Sequence, residues 1–111
     1  MMPYYMVQFK YSQAALKAMI AKPQDRTAAA KHIVEDFGGT LHAFFMSFGE
    51  YDGLAIAEYP DTASATASLM ALNAAGGVTS STTTALISPE EAVAAMRMAG
   101  AAGSGYRPPQ A

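Results

Sequence analysis

The stretch Thr40-Leu41-His42-Ala43-Phe44-Phe45-Met46-Ser47-Phe48-Gly49-Glu50-Tyr51-Asp52-Gly53-Leu54-Ala55-Ile56-Ala57-Glu58-Tyr59 reads as two strands joined by a reversal. Alternation from Thr40 to Phe48 puts Leu41, Ala43 and Phe45 on one face and His42, Phe44, Met46 and Phe48 on the other. Large apolar side chains thus stand on both faces of this strand. Glu50-Tyr51-Asp52-Gly53 makes the reversal, because Asp-Gly is a hairpin signal. Gly53 is expected to supply a positive φ there. Leu54 to Tyr59 returns as the partner strand. Pro60-Asp61 ends it, with Asp61 placed to cap a following helix.

Upstream, Tyr5, Val7, Phe9 and Tyr11 alternate with Met6, Gln8 and Lys10, which marks a strand over residues 4–11. Ser12 is a helix N-cap before the helical run Ala14 to Ile20. Pro23 interrupts that run and is placed to open a second helix through Ala28, Ile33 and Phe37, which Gly38-Gly39 stops. Downstream, an Ala/Ser/Thr-rich helix over Thr62 to Asn73 closes at Gly76-Gly77. A Thr-rich strand then covers Val78 to Ile87. Ser88-Pro89-Glu90-Glu91 is a capping box with proline at the first helical position, and a short helix follows. The order β-α-β-β-α-β predicts an α+β, ferredoxin-like domain: a four-stranded antiparallel sheet with the helices on one face, plus a short C-terminal helix. Residues 1–99 form this domain, and the glycine-rich residues 100–111 read as a flexible tail or an arm on a neighbour.

The 111 residues suit one domain. Only 14% are charged and 51% are hydrophobic, a thin polar coat for so small a monomer. The apolar face of the second strand that the helices do not cover would stand in water. Both observations point to a homodimer or higher homo-oligomer, two sheets packing face to face across a twofold axis around a partly enclosed cavity. The net charge of −2 argues against nucleic acid. No run approaches a membrane span, and no basic segment precedes an apolar one at the N-terminus, so neither a membrane nor a signal peptide is expected. The absence of cysteine removes disulfides and thiolate metal sites and fits the cytoplasm. Charge is nevertheless segregated. Lys10, Lys17, Lys22, Arg26 and Lys31 are opposed only by Asp25 within the first 31 residues. They read as a solvated helical face, or as a mildly positive patch for an anionic small molecule.

The run Phe48-Gly49-Glu50-Tyr51-Asp52-Gly53-Leu54-Ala55-Ile56-Ala57-Glu58, with Pro60-Asp61, the Ala-rich helix and Gly77-Val78 before the Thr-rich strand, resembles the GYD domain family. The resemblance spans residues 4–97. It implies the dimeric α/β-barrel superfamily, whose members include cofactor-free oxygenases, isomerases, haem enzymes and plain binders. Fold alone therefore gives little warrant for a reaction.

Three residues are candidates for chemistry. Asp52 can act as a general base or anion, with Tyr51 as the donor beside it; equally, Asp52 can cap the turn while Tyr51 packs over it. His42 can shuttle protons if its face lines a cavity, or can be a hydrogen-bonded core residue. Lys10, Met6, Phe44, Met46 and Tyr51 are the candidate ligand-binding residues. His32 and Asp36, four apart on a helix, are too few for a metal site, and no metal or cofactor is expected. No P-loop, dinucleotide fingerprint, serine elbow or Cys-His pattern is present. The readings that follow are an oligomeric binding module for a small organic or anionic ligand, a cofactor-independent enzyme acting by proton transfer or oxygenation on a small aromatic or carbonyl compound, and an assembly protein.

Overall fold

The computed structural model describes residues 3–103 and 105–110. Among them, strand β1 (Tyr4–Tyr11) is followed by helices α1 (Gln13–Ala21) and α2 (Thr27–Asp36). The hairpin strands β2 (Thr40–Met46) and β3 (Gly53–Glu58) come next, then helix α3 (Thr62–Ala74), strand β4 (Val78–Leu86) and helix α4 (Pro89–Ala102). The strands form one antiparallel sheet in the order β2-β3-β1-β4. The first and third strands are therefore central, as the ferredoxin-like arrangement requires. Helices α1 to α3 lie on one face and leave the other open.

The alternation of β1 explains which face is covered. Tyr5, Val7 and Phe9 are buried under the helices, while Met6 and Gln8 are half-buried on the open face. Tyr5, Val34, Ala57, Tyr59 and Ala65 make one core cluster; Val7, Phe9 and Val78 make a second, with Phe44, Leu69 and Leu72 against it. Tyr59 is 2% exposed, and its hydroxyl is paired with that of the buried Ser68 at 2.9 Å. No buried side-chain polar atom among the described residues lacks a partner. The caps form as read. Ser12 Oγ accepts from the Ala15 N–H, Asp61 Oδ1 from the Ser64 N–H, and Ser88 makes a complete capping box with Glu91. Gly38, at φ +78°, ends α2 in the left-handed region.

Five expectations are corrected. Pro23 does not open α2, which begins at Thr27. Asp25 Oδ1 accepts from both the N–H and the hydroxyl of Thr27, and this side-chain turn starts the helix four residues after the proline. Strict alternation fails in β2, where a bulge falls between Leu41 and Ala43. The bulge puts Leu41 and Phe44 on the helix face and His42, Ala43 and Phe45 on the open face. The strand ends at Met46, and Phe48 is fully exposed in the loop beyond it. Gly53 has no positive φ; among the described residues only Gly38, Gly76 and Gly103 do. Finally, α4 continues through Gly100 to Ala102, so helix extends past the residue where the glycine pattern predicts a break.

Gly53 is required for space. A Cβ there would stand 2.5 Å from Phe9 Cζ and 3.2 Å from the Phe45 carbonyl oxygen. Phe9 is 5% exposed, and its ring would have to leave its packed position to make room. Gly53→Ala is expected to lower stability by about 1–3 kcal/mol, read as a lower urea midpoint at unchanged slope. Gly49→Ala, whose added Cβ meets nothing within 4 Å, should stay within about 0.5 kcal/mol of the parent.

Candidate functional site

The hairpin loop is tied to the end of β1 by Asp52. Its N–H donates to the Phe9 carbonyl at 2.9 Å, its carbonyl accepts from the Ser47 N–H at 2.9 Å, and Oδ2 accepts from the Tyr11 N–H at 2.9 Å. Ser47 Oγ closes the loop by donating to the Tyr51 carbonyl at 2.7 Å. Tyr51 reaches across the open face, where its hydroxyl pairs with Thr82 Oγ1 of β4 at 2.7 Å. His42 stands at the opposite end of the hairpin. Its Nε2 lies 3.0 Å from Glu58 Oε1, and its ring stacks on Tyr4 with centroids 4.9 Å apart. Glu58 lies five residue steps along β3 from Gly53, roughly 17 Å. The three residues proposed for chemistry therefore do not converge on one reacting atom.

The proposed ligand-binding residues divide in the same way. Met6 and Lys10 share the open face with Tyr51. Phe44 lies on the helix face, where its ring stacks on Phe9 with centroids 6.0 Å apart. Met46, opposite Gly53 at the strand end, is 53% exposed. His32 and Asp36 form an exposed pair at 3.3 Å, and no cluster of three metal-ligating side chains occurs among the described residues.

A cavity of about 430 Å³ lies between the sheet and the helices. Its cause is compositional. The helix face of β3 is Gly53, Ala55 and Ala57, side chains too short to reach the opposing layer. The helices answer with Ala15 and Ala18 of α1 and Ala29 and Ala30 of α2, also short. Val7, Phe9 and Phe44 form the apolar floor; Leu69 and Leu72 of α3 and Ile33 of α2 form the walls. The deepest residues, Tyr59 and Ser68, are buried and paired. Ala18, Gln24, Arg26 and Ala75 are exposed, so the mouth lies at α1, the link from α1 to α2, and the end of α3. None of α1's residues is buried, which makes it the loosest part of the cover. Missed in the sequence, this cavity had a visible signal in Gly53-Leu54-Ala55-Ile56-Ala57, which alternates bulky and minimal side chains.

Among the described residues Arg26 is the single charged one lining the cavity, and its guanidinium donates to Gln24 Oε1 at 2.9 Å. Both ion pairs among the described residues are histidine–carboxylate, so no carboxylate neutralises Arg26. Tyr11 stands at the same end. Burial raises its pKa, the Arg26 charge opposes that rise, and the Asp52 charge adds to it. Burial likewise raises the pKa of Tyr59 against the lowering effect of its Ser68 bond.

A family model for the GYD domain matches residues 5–96. The chain belongs to the GYD domain family. Among curated proteins no match was found. The crystal structure of MtbAldR is similar in fold at a TM-score of 0.53 and 14% identity, over 78% of this GYD chain. The alignment spans 52% of that chain, about half its length. No helix among the described residues of the GYD chain is long and apolar enough to cross a membrane.

The raised phenol values carry a pH test. Unfolded, Tyr11 and Tyr59 ionise near the ordinary 10.0; folded, they hold their protons to higher pH. Their contribution to stability is thus intact below pH 10 and is lost as the pH rises through the folded-state values. Urea midpoints followed against pH should be level up to about 10 and then fall. Tyr11→Phe should make that fall shallower, and an ultraviolet titration should show one fewer late-ionising phenol.

Proposed function

We propose that this GYD domain is an oligomeric small-molecule-binding module whose pocket is the cavity between sheet and helices. The observation that carries the reading is the cavity itself. Its 430 Å³ falls within the range of organic-ligand pockets, roughly 300–1,000 Å³, and its lining is apolar with a few polar groups gathered at the mouth and the deep end. The separation of His42 from Tyr51 and Asp52 favours binding over proton transfer among those three residues. The hydrogen bonds that Asp52 makes to β1 favour its turn-shaping role.

The open face supports the oligomer. Met6, Phe45, Leu54 and Ile56 form an apolar patch on it, and Phe45 is 61% exposed. The polar groups on that face largely satisfy one another, His42 with Glu58 and Tyr51 with Thr82. Packing against a second sheet would bury apolar surface without stranding those groups. A twofold dimer, the α/β barrel of the wider superfamily, is the arrangement proposed.

Two measurements test the two halves. Anilinonaphthalenesulfonate should bind the native chain at one site per protomer with a rise in fluorescence. Ala30→Phe, which fills the cavity from α2, should weaken that binding about tenfold or more while leaving the thermal midpoint at or above the parent value. Dye binding unchanged by this substitution would locate the site elsewhere. In sedimentation velocity the parent should run as a dimer or larger, and Phe45→Glu on the open face should yield a monomer near 11.6 kDa. A monomeric parent would end the face-to-face proposal.

A further inference from the structure

We infer that the cavity takes a slender amphiphile carrying one negative charge: an alkyl or aryl body in the apolar interior, with a carboxylate at Arg26. This deepens the binding-module reading and rests on it. Three observations converge on the class of ligand.

The first is the shape of the space. Val7, Phe9 and Tyr11 all line it, and these alternate residues of one strand extend it along β1 by about 13 Å. The second is where polarity falls. Between the two ends the lining is Val, Phe, Leu, Ile, Met and Ala, with no acceptor or donor side chain to orient a polar body. The deep hydroxyls of Tyr59 and Ser68 are engaged with each other. Arg26, Gln24 and Tyr11 stand together at the other end, so a ligand's one polar group is best satisfied there.

The third is charge. Arg26 is the single charged lining residue, its guanidinium holds only the neutral amide of Gln24, and a planar fork of donors suits a carboxylate. The elements around the mouth add Lys17 on α1, Lys22 in the link and Lys31 on α2. Glu35 and Asp36 stand at the far end of α2, and two further acids lie nearer. Asp25 is committed to Thr27 through two hydrogen bonds, and Asp52, which does not line the cavity, is committed to the Tyr11 N–H. Over α1, the link and α2, the four basic groups Lys17, Lys22, Arg26 and Lys31 outnumber the three acids Asp25, Glu35 and Asp36 by one, although the chain as a whole carries −2. The segregation of basic residues into the first 31 positions thus gains a physical role: it sets the field at the entrance.

The test compares three ten-carbon probes that differ only in the head: decanoate, decanol and decyltrimethylammonium. Each is titrated below its micelle concentration by calorimetry, with methyl shifts of Val7, Leu69 and Ala30 reporting location. Decanoate should bind at least about tenfold more tightly than decanol, and decyltrimethylammonium most weakly. Arg26→Gln, at an exposed position outside the core, should bring decanoate to the level of decanol and leave decanol unchanged. Equal binding of decanoate and decanol by the parent, or an Arg26→Gln variant that keeps the preference, would overturn the anion assignment while the pocket stands. Failure of all three probes to shift the cavity methyls would overturn the pocket reading itself, and the anion assignment with it.

Discussion

The contact between the Phe9 ring and Gly53 sets the geometry that the rest of the molecule depends on. β1 is a central strand, so whatever fixes its alignment to β3 fixes both halves of the sheet. Gly53 lets the Phe9 ring lie where a Cβ would stand 2.5 Å from it. Asp52, one residue earlier, adds a backbone bond to the Phe9 carbonyl and a carboxylate bond to the Tyr11 N–H. Steric fit and hydrogen bonding therefore select the same register. A slip by one residue would move Phe9 off the glycine, leave the Asp52 carboxylate without its donor, and turn every side chain of β1 to the wrong face.

From that register follows the unfilled interior. With β1 locked, the residues of β3 facing the helices are Gly53, Ala55 and Ala57, and the bulky Leu54 and Ile56 are forced to the open face. Alanine favours helix formation, so α1 and α2 fold readily, but their small side chains cannot reach across to other small side chains. An empty apolar cavity forfeits dispersion contacts along its walls, and filling it would ordinarily add stability. Short residues on both walls at once leave contacts unmade, and a bound organic molecule, as proposed, would supply them.

Much of the architecture is legible in local signals. The serine and aspartate caps, the glycine stop after α2 and the period-two pattern of β1 each rest on interactions within a few residues, which a linear reading captures. The bulge at His42 is not legible in that way, because alternation assumes one register throughout. The structure inserts a residue so that Leu41 and Phe44 can both face the helices. The role of Gly53 was hidden for a related reason: a turn glycine and a close-approach glycine look alike until the ring across from it is known. The candidate site was legible as a list of residue types and illegible as a place. Tyr51, Asp52 and His42 are close in the chain, yet a hairpin carries its turn and its far ends to opposite ends of its strands. The cavity needs both of its walls to be seen, and those walls are separated by 20 residues or more of chain.

The two faces of the sheet divide the work between them. On the open face, polar groups find partners within the protomer: His42 with Glu58, Tyr51 with Thr82. What remains outward at Met6, Phe45, Leu54 and Ile56 is apolar, a patch that another subunit would cover at little polar cost, while Gln8 and Lys10 on the same face would need water or partner groups. On the helix face the order is reversed. The interior polar groups, Tyr59 and Ser68, are paired, but the guanidinium at the mouth has no carboxylate partner among the described residues. An arginine with no carboxylate partner at the entrance of an otherwise apolar space is of little use for folding, since the chain gains no ion pair from it. It is useful to an incoming anion, which would exchange water for a fork of donors and leave its apolar body under α1, the helix with the least to lose by yielding.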